Sequence, residues 1–329
     1  MQQRALVLGG TGLVGSAVAR RLLAAGWSVD VTGRDASSAV VGTRFHVAAR
    51  NDAGALRRAL GPGADLVVDC LCFTAADAEL LLPLLTDVGS SVMISSKAVY
   101  VDAAGNHMNS AVAPRFGEPV PEGALTMEPG DAPARSPGGY GAHKVAAERV
   151  LLESGLPVSI LRASKVHGVG SVREWFFVRR ALDGRRRLLL ADRGLGVDHT
   201  TAAVNLAALV EVVAARPGAR ILNAADPDAS DVRTIAATIG AHLDHAWDEV
   251  LLDDPTPPLG RTPWSTGARF ELDTSAARRL GYEPVGTYAE TIGTTIDWLV
   301  RTADEPRWTA ARADLLAGFA GYASEDGAH

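Results

Sequence analysis

Ala5-Leu6-Val7-Leu8-Gly9-Gly10-Thr11-Gly12-Leu13-Val14-Gly15 is the stretch that decides the fold of this chain. Four apolar residues read as a strand, the glycines at 9, 12 and 15 as a tight turn, and Ser16 to Leu23 as an amphipathic helix. Strand, glycine turn and helix in that order let a backbone approach a pyrophosphate closely, with the helix N-terminus against the anion. Gly9, Thr11, Gly12, Leu13, Val14 and Gly15 are therefore candidate cofactor contacts.

The pattern continues outward from that turn. Ser28 to Thr32, Leu66 to Leu71 and Ser91 to Ser95 read as further strands, with a helix over Leu80 to Leu85 between the last two. Such alternation predicts βαβ units and a parallel sheet, and the nearly continuous apolar character of the strands suits a sheet covered on both faces. Val158 to Leu161 and Ile221 to Ala224 fit two more strands. Between Tyr100 and Tyr140 the periodicity gives way to a long loop rich in proline, glycine and acidic residues, a length more often seen in lids and binding loops. Beyond residue 226 the periodicity is mainly helical, with candidate helices at Val232 to His242, Thr274 to Leu280 and Tyr288 to Arg301.

The chain has 329 residues, of which 47% are hydrophobic and only 5% aromatic, so a core of Ala, Leu and Val is expected. Its formal net charge of −6 argues against nucleic acid as a partner, since phosphate contact calls for a basic surface. No apolar run has the length of a bilayer span, and Met1-Gln2-Gln3-Arg4 leads directly into a strand, so a cytoplasmic protein without membrane attachment is expected. Cys70 and Cys72 are the only cysteines, too few for a thiolate metal site, and read as small core residues.

The end of the second strand, Val31-Thr32-Gly33-Arg34-Asp35, selects between cofactors. An acid there bonds the adenosine ribose, whereas an arginine accommodates a 2′-phosphate. Gly33 clears space and Arg34 offers a forked donor, which favours NADP, while Asp35 keeps NAD open.

Tyr140 and Lys144 stand four residues apart, on one face of a helix. A phenol of ordinary pKa about 10 is a poor base near neutrality, and a neighbouring cation favours its ionised form. The pair equally suits a lysine lying along a tyrosine ring. Strand Val92-Met93-Ile94 ends in Ser95-Ser96-Lys97-Ala98-Val99-Tyr100, where an open α/β sheet places its ligands. Together the Gly9 to Gly15 turn, Ser-Ser-x-x-Val-Tyr at 95 to 100, Tyr140-x-x-x-Lys144 and Arg162-x-x-x-Val166-x-Gly168 resemble the extended short-chain dehydrogenase/reductase family, also called the NAD-dependent epimerase/dehydratase family. The resemblance implies a Rossmann-type doubly wound parallel sheet with a smaller, mainly helical substrate lobe. It implies catalytic roles for Ser96, which would hydrogen-bond the reacting oxygen, for Tyr140, which would exchange its proton, and for Lys144, which would bind the nicotinamide ribose and lower the tyrosine pKa. Leu71 and Val166 join the candidate cofactor contacts, and a homodimer follows from the resemblance alone.

Departures from the family pattern bear on the substrate. Dehydratases of the family carry an acidic pair after the serine or threonine; Lys97 and Ala98 stand there, so dehydration is disfavoured. Lys165 replaces an asparagine that often meets substrate, and Val197 replaces an arginine that meets a diphosphate in many sugar-nucleotide enzymes. Lys97, Lys165, His167, Trp175 and His199 are the candidate substrate contacts, the histidines as groups that titrate near neutrality and Trp175, with Phe176 and Phe177, as an apolar wall or equally as core packing. The expected protein is an NADP- or NAD-dependent ketone reductase or secondary alcohol dehydrogenase acting on a small organic molecule. The alternatives are an epimerase acting on a sugar or sugar nucleotide and a non-catalytic dinucleotide sensor. The expected organisation is a dinucleotide-binding domain over 1–165 with 200–225 returning to it. A substrate lobe over 166–199 and 226–317 closes over the nicotinamide end, and 318–329 forms a flexible tail unless Phe319 and Tyr322 dock it.

Overall fold

The computed structural model describes residues 2–253, 259–266 and 269–327, which divide into two compact units. The first comprises Met1–Ser164, Ala203–Ala225 and Leu272–Val285. Its strands β1 (Arg4–Leu8), β2 (Ser28–Gly33), β3 (Arg44–Val47), β4 (Ala64–Asp69), β5 (Val88–Ser96), β6 (Val158–Ala163) and the strand Arg220–Ala224 form one seven-stranded sheet. All of its pairings are parallel. From one edge the order is β3, β2, β1, β4, β5, β6 and Arg220–Ala224. It reverses direction between β1 and β4, the place where open sheets of this kind part their carboxyl ends and take ligands.

Helices α1 (Leu13–Ala24), α2 (Ala53–Leu60), α3 (Ala75–Leu85) and α4 (Gly139–Glu153) follow their strands. Period two along the strands sends alternate residues to opposite faces. Leu6 and Leu8 of β1, Val67 of β4, Met93 of β5 and Ile160 of β6 pack with Leu56, Leu81, Leu85, Ala147 and Leu151 of α2, α3 and α4. Helix α1 and the helix Ala203–Ala214 pack against each other. Helix α3 starts on a reciprocal cap: the Thr74 hydroxyl accepts from the Asp77 N–H, and the Asp77 carboxylate accepts from the Thr74 N–H.

Strand β3 and helix α2 have no counterpart among the elements read from the sequence. Each explains its own omission. Strand β3 is an edge strand with no fully buried residue, so Arg44-Phe45-His46-Val47 lacks an apolar signature. Helix α2 has only eight residues and includes Gly54.

The 101–138 segment contains no helix or strand, yet it is pinned at several points within this unit. Tyr100 bridges to Thr126, and Val120 bridges to Leu272. Asn223 is the main pin: its amide donates to the carbonyls of Val120 at 2.9 Å and Asp273 at 3.1 Å. Its carbonyl accepts the Tyr100 hydroxyl at 2.6 Å. These bonds also explain why Leu272–Val285, expected in the substrate lobe, belongs to the first unit.

The second unit comprises Lys165–Ala202, Asp226–Glu271 and Gly286–His329. Its strands pair two by two: Lys165–His167 with Thr200–Ala202, Arg187–Leu190 with Asp248–Leu251, and Val197–Asp198 with Arg269–Phe270. Helices Trp175–Leu182, Val232–His242 and Gly293–Arg301 supply most of its core, in which Phe176, Phe177, Ile235, Ile239, Trp264, Ile296 and Leu299 are buried. Expected as one helix, 288–301 is two, Tyr288–Thr291 and Gly293–Arg301. The aromatic residues that are scarce in the first unit gather here.

Residues 318–327 are docked rather than frayed. Phe319 meets Phe176 edge to face at 5.1 Å, and the buried Arg180 guanidinium bonds the Glu325 carboxylate at 2.5 Å. The flexible tail expected from the small, polar composition of this stretch is thereby corrected. Its last two residues, Ala328 and His329, lie outside the described residues.

Candidate active site

The glycine turn is shaped by close approach. Gly9 takes φ +78°, and a Cβ at Gly10 would stand 2.5 Å from the Val31 Cβ. A Cβ at Gly15 would stand 2.2 Å from the Gly9 carbonyl oxygen, so only glycine lets α1 lie this close to the turn. Helix α1 begins at Leu13 with no side-chain cap, and its first N–H groups and positive dipole end lie at the turn. Leu71 stands over the other side, its Cγ 2.8 Å from the place a Gly9 Cβ would take. A phosphate-binding cradle that any Cβ would fill fits a dinucleotide.

Gly33 at the end of β2 leaves room for Thr11, whose Oγ1 lies 2.9 Å from a Cβ built there. Arg34 is exposed and makes no ion pair or hydrogen bond among the described residues. Asp35 is engaged: it accepts the Ser37 N–H at 2.9 Å and the Ser37 hydroxyl at 2.7 Å, bonds that hold its carboxyl below the usual range. A residue missed in the sequence stands next to this region. Arg50 donates to Asp69 at 2.6 Å and to the Asp77 carbonyl at 2.8 Å, tying the end of β4 to the start of α3.

Ser96, Tyr140 and Lys144 all belong to the first unit, and the fold brings them together. Ser96 ends β5, and its Oγ accepts the Ala98 N–H at 3.2 Å. Tyr140 lies in the first turn of α4, its phenol beside the Ser96 hydroxyl, which acts to lower the phenol pKa. Burial outweighs this and pushes that phenol above its ordinary value. Lys144, one turn on, is buried and donates to the carbonyls of Cys72 at 2.7 Å and Ile94 at 2.9 Å. Phe73 covers the ammonium at 4.5 Å from its ring centroid, and burial lowers the Lys144 pKa.

The expected lowering of the tyrosine pKa by Lys144 is not what this geometry produces. The ammonium lies 5.9 Å from the Tyr140 ring centroid, anchored on two carbonyls, and burial dominates the phenol. The Cys72 thiol, pushed up to about 12 by burial, is inert; only its backbone oxygen is used. Lys97 is buried directly after Ser96.

Other candidates lie in the second unit. Lys165 pairs with Asp198, while burial and then the Arg173 guanidinium pull its ammonium down to about 7. Val166 is half-buried in the strand Lys165–His167, and its carbonyl accepts from Arg173 at 3.0 Å. His167 and His199 are both buried against Asp226: His167 Nε2 lies 2.9 Å from the carboxylate, and His199 Nε2 donates to the backbone carbonyl at 2.9 Å. Asp226 also accepts from Thr200 at 2.7 Å and the Ala202 N–H at 2.6 Å. This cluster joins strands to one another, which withdraws both histidines from the candidate substrate contacts. For Trp175 the core-packing alternative holds. It is 4% exposed, packed in the core with Arg312 4.3 Å from its ring centroid, and forms no pocket wall.

A sheet with this strand order, a glycine turn at its reversal point and a Ser-Tyr-Lys set define a dinucleotide-dependent enzyme of the short-chain dehydrogenase type. The family model for the NAD dependent epimerase/dehydratase family matches residues 5–197, and the chain belongs to that family. Among solved structures, the chain is similar to a UDP-glucose 4-epimerase at 16% identity and TM-score 0.70, with 92% of this chain and 98% of the other covered. It is also similar to the UDP-glucose 4-epimerase of Thermotoga maritima, solved with UDP-glucose, at 19% identity and TM-score 0.68, covering 92% and 100%. The dTDP-glucose 4,6-dehydratase of Bacillus anthracis, solved with NAD, gives 17% identity and TM-score 0.68, covering 92% and 98%. At these identities the likeness is one of fold. No curated protein matches the chain in sequence.

Proposed function

We propose that this protein is an NAD(P)-dependent epimerase that oxidises and re-reduces one carbinol carbon of a sugar or sugar nucleotide. This was the alternative on sequence grounds, behind a ketone reductase. The similarity to solved sugar-nucleotide epimerases supports it over net reduction of a ketone. The observation that carries the reading is the placement of Ser96 at the end of β5 with Tyr140 and Lys144 on α4, Lys144 anchored on the Ile94 carbonyl, and with Lys97 and Ala98, not acids, directly after Ser96. One proton-exchanging group serves one carbon–oxygen bond; expelling water would need a second acid and base.

The hydride leaving the carbinol carbon would be held on a bound dinucleotide and returned to the opposite face of the resulting ketone, which must turn in the site for the configuration to invert. Tyr140 would take the hydroxyl proton and give it back, and Ser96 would donate a hydrogen bond to the oxygen as charge grows on it. The cofactor proposed is NADP, supported by an exposed Arg34 and by an Asp35 already engaged with Ser37. Lys165, already paired with Asp198, and Arg173 are the cations proposed to meet an anionic group of the substrate. A homodimer is proposed on family resemblance.

The decisive experiment incubates the purified protein with nucleotide-sugar epimer pairs and follows them by NMR while recording reduced-cofactor absorbance. Isomerised sugar with no net redox change is expected. Stoichiometric consumption of NADPH by a carbonyl compound, with no epimer formed, would instead support the ketone reductase.

A further inference from the structure

Two side chains of α4 reach the end of β5 immediately before Ser96. Tyr140, Lys144 and Glu148 recur at every fourth residue and so form one stripe down the helix. Lys144 holds the Ile94 carbonyl at 2.9 Å, and the Glu148 carboxylate accepts the Ser95 hydroxyl. The residue that follows is Ser96, whose hydroxyl lies beside the Tyr140 phenol. Glu148 is gripped in turn by Arg162 at the end of β6, whose Nη2 donates at 2.6 Å and whose Nε lies 3.2 Å from both carboxylate oxygens.

Ser95, Glu148 and Arg162 are all buried, with Glu148 only 3% exposed. A carboxylate so enclosed and so fully paired has no access to a ligand. Its charge is met by the guanidinium, and a buried pair of this kind is better explained by the geometry it fixes than by net stability. Arg162 also donates to the Glu122 carbonyl at 3.1 Å and lies 4.9 Å from the Tyr100 ring centroid, so the segment leaving Ser96 is held by the same anchor.

We propose that the Ser95–Glu148–Arg162 chain is a positioning device that sets the Ser96 hydroxyl against the Tyr140 phenol. It rests on the reading that these two hydroxyls share the reacting oxygen. Helix α4 brings the phenol and β5 brings the serine; without a tie between them, small sliding of the helix along the sheet would separate the pair. Reacting groups tolerate displacements of well under about 1 Å before rate is lost.

Ser95→Ala tests this while leaving the Glu148–Arg162 pair intact, whereas Glu148→Gln would strand a buried arginine. Relative to wild type, Ser95→Ala is expected to lower kcat about tenfold with KM for substrate and cofactor within about twofold. The Tyr140 titration should move upward, because the Ser96 hydroxyl that acts to lower the phenol pKa is displaced. Ser95→Thr, which keeps the hydroxyl, should recover most of both effects. Tyrosinate absorbance, with the Tyr140→Phe signal subtracted, reads the same titration without substrate or turnover. Unchanged kcat and an unchanged Tyr140 titration in Ser95→Ala overturn the proposal. A wild type that turns over no epimer pair, with the titration still shifted in the variant, removes the epimerase reading and leaves the positioning device standing.

Discussion

A buried phenol resists ionisation, and Tyr140 is held as a proton donor by its surroundings more than as a base. That suits the half of the reaction in which an oxyanion must be protonated. The other half of the proposed reaction needs the phenolate stabilised; Lys144, one helical turn away, is anchored on the carbonyls of Cys72 and Ile94, and it is the Ser96 hydroxyl that acts to lower the phenol pKa. At the far end of the cofactor cradle, Arg34 is the residue proposed to decide specificity. Arg34→Ala should weaken NADP binding about tenfold while leaving NAD binding within about twofold, since a phosphate–guanidinium contact in a solvated setting is worth about 1–2 kcal/mol. Calorimetric titration with both nucleotides checks this; equal loss for both would assign Arg34 to general binding. These residues were legible in the sequence because glycine turn, Ser96 and the Tyr140–Lys144 spacing each act through local geometry. Glu148 and Arg162 were not, because their pairing exists only once α4 lies across β6. Trp175 was open between pocket wall and core because scarcity of aromatics says nothing about which side of a helix faces a core; it lies in the core.

At the level of elements, the strand Arg220–Ala224 does more than close the sheet. Its Asn223 is 0% exposed and ties Tyr100, Val120 and Asp273 into one buried knot, with its N–H donating to Glu122 at 2.9 Å. The irregular segment after Ser96 thus has a fixed base without helix or strand of its own. Asn223→Ala would remove the amide from the Tyr100 hydroxyl and the Asp273 carbonyl, while the Val120 carbonyl keeps the Asp273 N–H, and is expected to cost about 2–3 kcal/mol of stability. Urea unfolding monitored by circular dichroism measures it, and a loss below about 0.5 kcal/mol would show that water replaces the amide. The strands and helices of the sheet were readable because burial on both faces leaves long apolar runs. The segment was readable only as a loop, since its order comes from single polar contacts with residues about 50–120 positions away along the chain.

Across the whole molecule, the chain leaves the first unit and returns to it twice, and in the second unit it ends on a docked helix, Tyr322–Asp326. Composition suggested a frayed end. Contacts say otherwise: Arg180 stacks 3.8 Å over Phe176 while bonding Glu325, Tyr322 donates to Asp183 at 2.8 Å, and Arg185 pairs with Asp326 at 2.6 Å. Short polar residues carried no apolar signal, so only the partners on the helix Trp175–Leu182 and in the residues just after it reveal the role of this segment. Removing residues 319–329 would strip Phe319 from Phe176 and leave Arg180 buried without its carboxylate, a loss expected to cost about 3–5 kcal/mol. The second unit has its own aromatic core, so the loss should appear as a lower transition in tryptophan fluorescence on heating. Limited proteolysis supplies the complementary outcome. If the intact protein loses its last ten residues to protease within the time an unfolded control does, and its fluorescence transition is unmoved, the segment is a tail after all and the Arg180–Glu325 pair does not hold it.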